Sequence, residues 1–266
     1  MYTTLASLIN RLDNPAIART SVIQWGCPVP SFGDPTKSRV ATLGLNPSNR
    51  EFVDEFGNEL QGVARRFHTL RSLGLGSWAE TDARDIRLIL DSCRSYFDDN
   101  PYDRWFRRLD QIVAGADASY YEENRRACHL DLIPYATACK WTELSSPQRT
   151  RLLSIAGDTL GLVLRDSKVQ ILILNGRSVV NQFQRISGVC LARRRMPSWS
   201  LPRQVKPDVI GFAYRGVVRS LSGVELGRDV LVLGYNHNLQ SSFGVTTKVV
   251  YAIRRWLRRT VSEVMQ

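Results

Sequence analysis

Four short polar clusters stand directly after apolar runs in this chain, and they hold most of the residues that could do chemistry. They are Asn46-Pro47-Ser48, the stretch from Asp131 to Tyr135, Asn175-Gly176-Arg177, and Tyr235-Asn236-His237-Asn238. An amide such as Asn46 is too weak a base to strip a proton, but it can orient a water molecule. A neutral imidazole can donate a hydrogen bond to a group that is gaining negative charge. His237 is one of three His, with His68 and His129. The Asp131 carboxylate accepts hydrogen bonds and donates none while ionised. Each residue has a plainer alternative. Asn before Pro commonly ends a strand, His237 can be a surface or phosphate-contacting residue, and Asp131 can pair with Arg125 or Arg126. The four clusters contain no Lys, so they offer no amine for a Schiff base. The five Cys (27, 93, 128, 139, 190) form no CxxC, and no GxGxxG or Walker A run occurs. A site without metal or cofactor is expected.

The apolar runs before these clusters read as buried strands: 39–45, 128–134, 169–174 and 230–234. Helical spacing marks 4–13, 61–73, 82–97, 101–113, 178–186 and 247–261. Ser146-Pro147 opens a further helix running to about 164, with Ser as cap and Pro at the first helical position. Residues 190–207 read as a basic loop, and 209–221 as a hairpin turning at Tyr214-Arg215-Gly216. Near-continuous apolar strands separated by helices predict an α/β fold: three layers, α/β/α, around a mainly parallel four-stranded sheet. With no linker and no repeat, residues 1–266 are expected to form a single domain. In such folds the ligand sits beyond the carboxyl ends of the strands, where the four clusters fall.

The chain has 266 residues, enough to bury a sizeable core, and 43% of them are hydrophobic. No run approaches a membrane span, and no secretory signal opens the chain, so a cytoplasmic location is expected. The formal net charge is +11, and of the 36 cations 31 are Arg. Arg forks phosphate and keeps its charge, so the balance points to a polyanion, nucleic acid above all. A solvated basic face is the alternative for any single Arg.

Gly44-Leu45-Asn46-Pro47-Ser48, Ile171 to Ser178, Gly234 to Ser242 and His129 to Trp141 together resemble the uracil-DNA glycosylase superfamily, over nearly the whole chain from about Trp25. The resemblance is nearest to a bacterial anti-phage branch acting on α-glucosyl-hydroxymethylcytosine. It implies a monofunctional DNA glycosylase that flips out a modified base in double-stranded DNA and leaves an abasic site. Asn46 would place the water and His237 would donate to the leaving base. Asp34, Pro47, Phe52, Asp131 and Asn175 would line the base pocket, with Phe52 stacking on the base. Asp131 would accept from a cytosine amino group and repel uracil O4. Ser48, Arg177, Arg193, Arg194, Arg195, Asn238, Gln240, Ser241 and Ser242 would hold DNA, with Trp199 among them, and Leu239 would be a wedge from an exposed loop. Asn238 stands where the family has Pro, and the family's clustered Cys are missing, so no iron–sulfur cluster is carried over. A monomer without membrane contact is expected. The alternatives are uracil or mismatched-thymine excision in repair and, in another class, a non-catalytic DNA-damage-binding module.

Overall fold

A computed structural model describes residues 1–99, 103–203, 207–239 and 244–264. All four expected strands form: β1 (Val40–Gly44), β2 (Ala127–Asp131), β3 (Ile171–Asn175) and β6 (Val224–Tyr235). β1 sets buried Val, Ala and Leu around a buried Thr42, and β3 is four buried Ile and Leu residues closed by Asn175, as suits strands covered on both faces. β1 pairs in parallel with β2 on one side and with β3 on the other, and β3 pairs in parallel with β6.

The expected four-stranded sheet is in fact six-stranded and mixed, in the order β2-β1-β3-β6-β5-β4. β5 (Phe212–Leu221) runs antiparallel to β6, and β4 (Ala192–Arg195) antiparallel to β5. The hairpin turns at Ser222-Gly223, both at positive φ as a two-residue hairpin turn requires, and not at 214–216. Gly216 lies inside β5, where a Cβ would come within 2.6 Å of the Leu191 side chain. The basic stretch 190–207 is thus partly an edge strand, with Arg193, Arg194 and Arg195 exposed on it.

Helices flank the sheet, an arrangement compatible with three α/β/α layers. The helix expected over 146–164 is two, Ser146–Ala156 and Thr159–Arg165. Its cap lies one residue earlier than expected: Ser145 accepts from the Gln148 amide, and the Gln148 side chain accepts from Ser145 N–H. The 61–73 stretch holds only short turns, Gly62–Ala64 and Leu70–Leu73. Ala83–Arg94 and Asp103–Val113 form, the first capped by Asp82. Buried apolar residues from Leu5 to Leu257 make one continuous cluster. Among the described residues no helix is long and apolar enough to cross a membrane.

Candidate functional site

In the strand order β2-β1-β3-β6, the chain leaves β1 toward β2 and leaves β3 toward the opposite side. A crevice opens between two such strands at their carboxyl ends. A cavity of about 410 Å3 lies there, walled by Leu45 to Asn49 after β1 and by Asn175 to Val179 after β3. A second cavity of about 290 Å3 adjoins it toward β2 and shares Gly44 to Ser48 and Trp105 with it. Phe32, Phe106, His129, Asp131 and Glu51 complete the second cavity. It is close to the small end of the range of about 300–1,000 Å3 for ligand pockets, and Phe32, Trp105 and Phe106 give it aromatic walls.

The register of β1 on β2 sets Gly44 beside Asp131. A Cβ on Gly44 would stand 2.3 Å from Asp131 Oδ1 and 2.9 Å from His129 Nε2, so only glycine lets that carboxylate occupy its place. His129 Nε2 is 3.5 Å from Asp131 Oδ1, and its Nδ1 is 2.7 Å from Thr42 Oγ1, which in turn meets Tyr120 Oη at 2.5 Å. His129 is thus held by side chains and walls the cavity. Asp131 has this imidazole as its partner.

Asn46 lies at the junction of the two cavities. Its Nδ2 donates to Thr137 Oγ1 at 2.9 Å and to Pro47 O at 3.0 Å, and Thr137 Oγ1 donates onward to Cys139 O. These bonds fix the amide by its nitrogen end, leaving the oxygen as an acceptor for water. Ser48, exposed at the rim, caps the short turn Asn49–Glu51 by accepting from Arg50 N–H. That turn carries Glu51 inward, where its side chain is 5% exposed. The Tyr96 hydroxyl is 3.1 Å from both Glu51 oxygens, and Arg66 Nη1 is 3.7 Å away. Burial raises the Glu51 carboxyl to about 8, with the Asp131 charge adding to the rise and Arg66 and Tyr96 opposing it.

The larger cavity gathers Asn175, Arg177 and Asn238. Asn175 Oδ1 accepts from the Tyr235 hydroxyl at 2.9 Å. Lys140 also walls this cavity, so an amine does border the site, outside the strand-end clusters that contain none. Arg193 lies over the Phe212 ring at 4.8 Å and lines a third depression, which shares Arg177 and Asn236 with the crevice.

Several expected site residues lie elsewhere. His237 is buried and lines neither cavity, and its Nε2 donates to the Trp199 carbonyl at 2.6 Å. Burial lowers its pKa, which keeps the ring neutral. Leu239 is fully buried in the core, so it presents no wedge. Phe52 is core as well, edge-on to Trp25 at 6.0 Å and tilted against Phe67. Asp34 is tied to Thr36 before β1, at the opposite end of that strand from the cavities. Trp199 is buried against Trp256 and belongs to no DNA-facing surface. His68 faces Ser72, away from both cavities. Gln240, Ser241 and Ser242 lie outside the described residues.

The residues missed from the sequence are Glu51, Phe32, Trp105, Phe106, Thr137 and Lys140. The one signal available was position, since Glu51 follows Asn46 by five residues. Compared with known protein families and with curated proteins, the chain matches none.

Proposed function

We propose that the chain is a DNA glycosylase that receives a flipped base in the 290 Å3 cavity and hydrolyses its bond to the sugar. The observation that carries this reading is the placement of Asn46. Its amide nitrogen is pinned and its oxygen is left for water, at the mouth of a cavity walled by aromatic rings and Asp131. A flipped base needs flat apolar walls and a polar group for its edge. Water held by Asn46 would attack the anomeric carbon as the base departs. His237, turned onto Trp199, is given no part in this chemistry.

The substrate we favour is a cytosine-derived base, with Asp131 accepting from its amino group. Plain cytosine shows the same amino group, so discrimination has to come from a 5-substituent. A glucose on that carbon needs room that the small cavity lacks, and the adjoining 410 Å3 crevice with Asn175, Arg177 and Asn238 supplies it. Contacts made only to the sugar would favour the glucosylated base over plain cytosine. Excision of α-glucosyl-hydroxymethylcytosine from phage DNA, by a cytoplasmic monomer acting in anti-phage defence, fits this reading. Arg177, Arg193 and Arg195 would hold the phosphates, with Arg194 on the opposite face of its strand.

The test is incubation with duplexes carrying uracil, mismatched thymine, cytosine, hydroxymethylcytosine or its α-glucosyl form, followed by alkali. Strand cleavage confined to the glucosylated base is expected. Uracil cleavage with both cytosine forms untouched would move the assignment to repair. A monofunctional reaction also leaves no borohydride-trapped adduct, whereas an adduct lost in Lys140→Ala would make that amine a nucleophile.

A further inference from the structure

Among the described residues, Glu51 is the one carboxyl besides Asp131 that lines the small cavity. The turn Asn49–Glu51 directs it inward, beneath a cluster in which Phe32 meets Tyr96 at 4.8 Å and Tyr96 stacks on Phe67 at 5.4 Å. A surface glutamate would sit in water; this one borders the space that takes the base. We infer that Glu51 is the general acid of this site, handing its carboxyl proton to the departing base.

The inference rests on the glycosylase reading. A cytosine-derived base is a poor leaving group as an anion, and a proton delivered to its N3 or O2 makes departure easier. The water oxygen bonds to C1′ while the C1′–N1 bond breaks, and that bond's electron pair stays on the base. The Glu51 proton goes to the base, and the proton shed by the water returns to Glu51 through solvent. The groups around this carboxyl set the protonation needed. Burial and Asp131 favour the acid form, Arg66 and the Tyr96 hydroxyl favour the anion, and burial prevails. His129 faces the same cavity from β2. Two carboxyls in one pocket with unlike surroundings form the pattern from which acid and base roles are read.

The experiment is a single-turnover pH profile, from pH 6 to 10, on duplexes carrying α-glucosyl-hydroxymethylcytosine, with wild-type activity also scored on uracil, mismatched thymine, cytosine and hydroxymethylcytosine. For the wild type the rate should fall about tenfold per pH unit above about 8. Glu51→Gln should lose that limb and about 10²-fold in rate at pH 7. Tyr96→Phe removes a donor to the anion, so it should move the limb to higher pH. A purely structural role would slow excision at every pH alike and leave the limb in place. A wild-type limb that persists in Glu51→Gln, or does not move in Tyr96→Phe, overturns the inference while the glycosylase reading stands. Failure of the wild type to excise any of the bases overturns both.

Discussion

The loop after β1 leaves Asn46, Pro47, Ser48 and Glu51 on the walls of a cavity, whereas the loop after β6 turns His237 and Leu239 into the core. Both loops leave the carboxyl ends of strands in the parallel part of the same mixed sheet. The difference lies in where the backbone and its neighbours send each side chain. Asn46 is held by Thr137 beyond β2 and keeps one polar atom free. His237 commits its Nε2 to Trp199 beyond β4. A polar residue at a strand end can act only when its neighbours leave an atom unspent, which is why the proposed chemistry lies on the β1 side of the crevice.

This contrast is broken most directly at its two polar centres. Asn46→Ala should lower single-turnover excision at least about 10²-fold with duplex affinity unchanged, since it loses only the oriented water. His237→Ala should keep the rate within about tenfold and lower the melting temperature, because the Trp199 carbonyl loses its partner in a buried place. The reverse pattern, a rate collapse in His237→Ala with Asn46→Ala nearly active, would return the chemistry to the β6 loop.

Leu239→Ala sharpens the comparison next. Removing a fully buried leucine costs about 2–5 kcal/mol of stability, read in a denaturant melt. An exposed wedge would leave the melt unchanged and cost activity on duplex alone.

Glu51→Gln probes the β1 side through stability. The carboxyl is raised to about 8 in the fold, so the folded state holds its proton where the unfolded chain, near the usual value of about 4, has released it. Wild-type stability should therefore fall as pH rises from about 4 to about 8, and glutamine does not titrate. The melting temperature of Glu51→Gln relative to wild type should climb across that window by several degrees and then level off. A constant difference from pH 4 to 9 would mean that Glu51 titrates normally.

What could be read from the sequence follows from how local each cause is. β1 and β3 are legible because their apolar runs are fixed by burial on both faces. β4 reads as a loop because Ala192-Arg193-Arg194-Arg195 is exposed, and its pairing is dictated only by β5, some twenty residues on. Gly216 reads as a turn until Leu191 is seen packed against it. Asn46 and Asp131 stand out as polar residues ending apolar strands. Glu51 does not, since Asn49-Arg50-Glu51 reads as surface, and its burial is imposed by Tyr96 and Arg66 from other segments. His237 and Leu239 fit a motif in type and order, but side-chain direction after β6 depends on contacts the motif does not contain.

The smallest expected effect lies on the outer edge of the sheet, where the comparison leaves β6 and reaches β4. Arg193, Arg194 and Arg195 are exposed, and β-strand alternation sends Arg194 to the face opposite Arg193 and Arg195. Only Arg193, over Phe212, adjoins the depression that continues from the crevice. If all three neutralised phosphates, replacing them together would reduce the slope of log affinity against log salt by roughly three. The alternation instead predicts a loss of about two for the triple variant, of which Arg193→Ala and Arg195→Ala each supply about one, with Arg194→Ala leaving the slope unchanged. Equal contributions from all three would mean that DNA wraps the edge of the sheet. An unchanged slope in the triple variant would make this strand a solvated face and leave phosphate binding to Arg177 and the rim of the crevice.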